Sequence, residues 1–95
     1  MPIEYSRIYQ ELLDRIIEGQ KNLYGELAVK LAFKVKELEV SEGGNVLKIS
    51  GSPKDAIRSI LREYEVLGGK LSRALGEAVV RAYHNRYPDM DLNGE

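Results

Sequence analysis

The chain of 95 residues has no cysteine and no tryptophan, one histidine, one phenylalanine and three prolines. Without cysteine there is no disulfide, no thiolate nucleophile and no cysteine-ligated metal. With His84 alone, histidine clusters of the kind that hold zinc are excluded as well. No segment approaches the roughly eighteen consecutive apolar residues of a membrane helix. The start MPIEYSRIYQELL has neither the basic region nor the cleavage site of a signal peptide. These absences give the expectation of a cytoplasmic protein without membrane association. No serine lies in a nucleophile elbow, no carboxylate is placed by sequence beside His84, and no carboxylate pair stands out among the scattered surface glutamates. The reading is therefore of a non-catalytic chain with no cofactor and no metal.

What is present is ordinary globular composition, 43% hydrophobic and 31% charged, which excludes disorder and a membrane span. Ninety-five residues make a single domain with a modest core, a size at which self-association helps stability. Abundant Lys, Arg and Glu with only two glutamines give a thermophile-like composition. The net charge is −1, yet residues 53–87 carry seven basic side chains against four acidic ones. That imbalance can steer a basic face onto an acidic one.

From Ile3 the apolar positions run Tyr5, Ile8, Tyr9, Leu12, Leu13, Ile16, Ile17, Leu23, Tyr24, Leu27, Ala28 and Leu31, which is helical spacing. Leu12 to Leu23, Leu13 to Tyr24 and Ile16 to Leu27 are steps of eleven, a recurrence that keeps one face aligned on a nearly straight helix. One long first helix is expected, weakened at Gly19 and Gly25, with a kink near Gly19 the main risk. Next, Leu38 and Val40 alternate with Glu37 and Glu39, and Leu47 and Ile49 with Val46 and Lys48, around the turn SEGGN. This predicts a β-hairpin with Leu38 opposite Leu47 and Glu37 opposite Lys48.

Ser52-Pro53-Lys54-Asp55 combines three helix-start signals: an N-cap serine, proline at the first position and an acidic residue three beyond the cap. The preceding Gly51 and the helix N-terminus could hold a phosphate. Asp55 opposes that, and the loop lacks the spaced glycines and Gly-Lys-Ser/Thr ending of a P-loop. The helix is expected to bury Ala56, Ile57, Ile60, Leu61, Tyr64 and Leu67 and to end at Gly68-Gly69. A last helix, from about Lys70 to Tyr87, should bury Leu71, Ala74, Leu75, Ala78, Val79, Ala82 and Tyr83, with Ala74, Ala78 and Ala82 marking a close helix contact. Residues 89–95 are expected to be a frayed tail.

The expected fold is α+β and mostly helical: a long N-terminal helix, a β-hairpin and two helices (α-β-β-α-α) in one domain, residues 1–88. The leading functional expectation is a small homo-oligomeric protein-interaction or regulatory module, a homodimer, because so long a first helix exceeds what the rest of the chain can cover. Its candidate interface is Tyr5, Tyr9, Leu12, Ile16, Leu23 and Leu27. The alternative is a nucleic-acid-binding module using Arg58, Arg62, Lys70, Arg73, Arg81 and His84, against which stand Glu77 within that stripe and a pI of 5.9.

Overall fold

The structure, a computed structural model, describes residues 5–90; Ile3 and residues 91–95 of the expected tail lie outside them. Helix α1 (Ser6–Tyr24) is followed by a short α2 (Glu26–Ala32), strands β1 (Leu38–Val40) and β2 (Val46–Ile49), and a final helix α3 (Pro53–Arg86). The mixture of helices and one small antiparallel sheet agrees with the expected class. The single long first helix does not occur. It breaks at Gly25, not at Gly19, because Gly25 adopts φ 61, ψ −139, a region open essentially to glycine alone. An eleven-residue recurrence fixes the phase of an apolar stripe but does not require an unbroken backbone. The break lets α2 turn Ala28, Val29 and Ala32 into the core and leaves Leu27 at the surface.

The core gathers Leu12, Leu13, Ile16 and Ile17 of α1, Ala28 and Ala32 of α2, and Ala56, Ile57, Ile60, Leu61 and Tyr64 of α3. The Tyr64 hydroxyl donates to the Ala28 carbonyl at 2.9 Å, which satisfies its one buried polar group. Burial pushes its pKa up.

The hairpin forms, but in another register. Leu38 faces Ile49, Glu39 faces Lys48 and Val40 faces Val46, with an irregularity between Glu39 and Val40. The cause is α1: Asp14 Oδ1 accepts from the Val46 N–H at 2.6 Å, and Gln10 Nε2 donates to the Val46 carbonyl at 2.7 Å. Val46 is thereby held inward and Leu47 outward, at 56% exposure. Lys21 Nζ also donates to the Gly43 carbonyl at 2.9 Å, so α1 positions the turn as well as the strand.

At the start of α3 Ser52 occupies the N-cap and Pro53 the first turn, as expected, but the serine side chain makes no capping bond. Asp55 lies 3.6 Å from Arg58 instead of reaching back. Gly69, at φ 67, ψ −150, divides α3 into two limbs, 53–68 and 70–86, so the expected two helices are present as one interrupted element. The first limb buries the expected face. The second does so only in part: Val79 and Tyr83 turn inward as expected, but Leu71, Ala74, Leu75, Ala78 and Ala82 are exposed, and Ser72, Gly76 and Val80 take their place on the inner side. The buried face is rotated by about one residue, roughly 100°. Small residues four apart do mark the close contact, but the row is Gly68, Ser72 and Gly76, not Ala74, Ala78 and Ala82. A Cβ on Gly76 would strike Leu61, and one on Gly68 would strike Ser72 and Tyr24. Beyond Tyr87 the chain folds back: Met90 N–H donates to the Tyr87 carbonyl at 3.0 Å, and its side chain, 2% exposed, completes the core. Met90 thus belongs to the folded body and not to a tail.

Candidate interaction surface

Two surfaces were expected from the sequence, and α3 decides the fate of both. Of the apolar set, Leu12 and Ile16 are sealed inside the chain's own core, so neither is available to a partner. Tyr5 and Tyr9 pack partly against the same core. Only Leu23 and Leu27, 55% and 48% exposed, remain open. The first helix, α1, is 19 residues long, and α3 folds back to cover it.

The basic set is divided by the Gly69 break. Arg58 and Arg62 lie on the first limb, where Arg58 is beside Asp55. Lys70, Arg73, Arg81 and His84 lie on the second. Arg73, at the centre, is engaged by two carboxylates: its Nη1 donates to Glu65 at 3.1 Å and its Nε to Glu77 at 3.3 Å. Glu65 stands on the first limb, so this ion pair braces the break. A guanidinium held between two carboxylates has little charge left for a phosphate.

The surface the structure does expose is the outer stripe of the second limb. Leu71 (66% exposed) and Leu75 (40% exposed) share it with Ala74, Ala78 and Ala82, at the spacing of one helical face. Along one margin runs a groove of about 330 Å³ between α1 and α3, lined by Glu11, Arg15, Val79, Ala82, Tyr83 and Arg86. Burial, then the neighbouring Glu11 carboxylate, raises the Tyr83 pKa, so its hydroxyl stays protonated as a donor. Tyr83 stacks on Tyr87 with ring centroids 6.3 Å apart, and the Arg86 guanidinium lies 5.5 Å over the Tyr87 ring. The tyrosine-rich end of α3 is therefore occupied in closing the helix terminus.

On the inner side a polar latch fastens the second limb to α1. Gln20, 1% exposed, donates through Nε2 to the Ser72 carbonyl at 2.8 Å. The Tyr24 and Ser72 hydroxyls are hydrogen-bonded at 2.8 Å. Gln20 Oε1 is buried without a partner. Sequence reading missed this group, because glutamine and serine at inward positions break the apolar pattern that locates a buried face. The only available signal was the spacing of Gly68, Ser72 and Gly76. Among the described residues no group of three or more acidic or histidine side chains is arranged to hold a metal. Comparison with known proteins finds no matching family model, no matching curated protein and no matching solved structure.

Proposed function

We propose that this chain is a non-catalytic self-association module whose contact surface is the outer stripe of the second limb of α3, not the α1 stripe. The observation that carries the reading is two leucines and three alanines exposed on one helical face. Exposed leucine beside a row of alanines permits close approach of a second helix and gains from leaving water. The stripe is bordered by charges of both signs, Arg73, Glu77 and Arg81 on one side and Glu11, Arg15 and Arg86 on the other. A second copy presents the same surface, and mixed charges allow an isologous pair to avoid a rim of one sign. The three titratable groups shifted by burial among the described residues already serve the fold: Asp14 holds Val46, Tyr64 holds Ala28, and Tyr83 stacks on Tyr87 at the end of α3. That supports binding over catalysis.

The test is sedimentation equilibrium from micromolar to submillimolar concentration, with Ala78→Glu beside the native chain. A native dimer and a monomeric variant of unchanged far-ultraviolet circular dichroism are expected. A monomer at every concentration overturns the reading.

A further inference from the structure

The break in α3 is a single residue wide, at the second glycine of Gly68-Gly69, and the apolar spacing of the sequence runs on through it. A Cβ on Gly69 would meet nothing within 4 Å, so no crowding demands glycine there. Only the backbone does, at φ 67 and ψ −150. Across this break the residues Ile57, Leu61, Tyr64, Gly68, Leu71, Leu75, Ala78 and Ala82 follow one another at alternating steps of four and three. That is the heptad spacing of a continuous helix with one apolar seam. In the folded chain the seam is cut, with Ile57, Leu61 and Tyr64 in the core and Leu71, Leu75, Ala78 and Ala82 outside. Only a helix unbroken at Gly69 puts all of them on one side.

An unbroken α3 of 34 residues is about 51 Å long, whereas the folded chain measures 40 × 25 × 21 Å. Straightening therefore drives the second limb off its own α1. The latch opens, and the pocket over Gln20, Tyr24 and Ile16 is vacated. The group that fits a vacated site best is the one that left it, supplied by another copy.

We propose that the partner is a second copy of this chain that exchanges residues 70–90. In the pair α3 is straight, and each second limb lies on the partner's α1 through the contacts that Ser72, Gly76 and Tyr83 make within one chain here. This rests on the self-association reading: Leu71 and Leu75 of the outer stripe keep their part in the contact, and the inward face of the second limb is added to it. Every inward contact is made twice in the pair, as in two separate chains. The straight form adds helical hydrogen bonds across residue 69 and brings Leu71 and Leu75, exposed beside the hinge, to where the two chains cross. Exchange of this kind is favoured when the hinge is short.

The deciding variant is Gly69→Ala. Alanine is disfavoured at positive φ and favoured over glycine in a continuous helix. The two effects together shift the balance toward the straight form by about 30-fold per chain, about 1,000-fold per dimer. Sedimentation should show that tightening. Spin labels on Asp55→Cys and Asn85→Cys, diluted with unlabelled chain, should report an intrachain separation of about 45 Å, beyond the 40 Å length of the folded chain. A Gly69→Ala chain that is less stable, no better at dimerising and without the long separation overturns the exchange. If that happens while the native dimer is still dissociated by Ala78→Glu, surface association stands and exchange alone fails; if native and variant chains are both monomeric, both fail. Should Gly69→Ala not fold, three glycines inserted after Gly69 supply the converse arm. They should weaken the dimer about 100-fold per chain, about 10,000-fold per dimer, through the loss of helix continuity, and an unchanged dimer overturns the exchange.

Discussion

Gly68→Ala should destabilise the protein although it replaces a glycine inside a helix, a change that ordinarily stabilises by about 1 kcal/mol. The added Cβ meets the Ser72 and Tyr24 hydroxyl oxygens and, at 2.9 Å, the Ser72 Cβ. The hydroxyls cannot retreat without breaking the 2.8 Å bond that joins them. Overpacking of this kind costs about 1–3 kcal/mol, and the buried hydrogen bond contributes about 1 kcal/mol more. Against the helix gain, a net loss of about 2 kcal/mol remains, equivalent to a fall of about 8–16 °C in Tm for a domain of this size. Gly19→Ala is the matched control: its Cβ would meet nothing within 4 Å, so it should raise stability by about 1 kcal/mol. Urea titration followed by circular dichroism at one protein concentration measures both, since association would otherwise alter the midpoint. In a Tyr24→Phe background the cost of Gly68→Ala should shrink by about 1 kcal/mol, a coupling expected only if the two residues touch. Equal stabilisation by both alanines would refute the close approach of α3 to α1.

Asp14→Asn should stabilise the protein at neutral pH. Burial, then the nearby Glu18 and Glu11 charges, raise the Asp14 pKa despite the bond from Val46, so its contribution is present below the unfolded pKa and is lost as pH rises through the folded one. Asparagine keeps the acceptor, and its advantage in thermal melts should vanish in acid; an advantage that persists there would remove the electrostatic cause. Ser52→Ala should cost less than about 0.5 kcal/mol in urea titration, because the side chain makes no capping bond, where a bonded cap is worth about 1 kcal/mol. Met90→Ala should cost about 2–5 kcal/mol, the range for emptying a buried methionine site, and a harmless substitution would return Met90 to a tail.

The sequence was most legible where a local rule met no competitor. The first limb of α3 buries the expected residues because apolar period, N-terminal proline and glycine stop all agree. The hairpin was visible as alternation, but its register was set by Asp14 and Gln10, more than thirty residues away, which no strand-local pattern contains. On the second limb the apolar residues were placed inside by their helical spacing. The structure instead buries Ser72 and Gly76, since a helix that must approach two others at once needs room more than bulk. The candidate site moved for the same reason. With Leu12 and Ile16 enclosed by a returning α3, the apolar face left over was the one that helix turned away.

The two side chains that hold Val46 also guard a strand edge. Val46 sits in β2 with its N–H and its carbonyl both turned away from β1, and both are taken by α1. An edge with open backbone groups is a template on which a foreign strand can grow. Here half of the outward backbone of a four-residue strand is already closed by a carboxylate and an amide from the same chain. A strand arriving from another molecule meets Asp14 and Gln10 before it meets the ladder. Strand addition along β2 is therefore obstructed at its Val46 end, where the backbone groups are already bonded to α1.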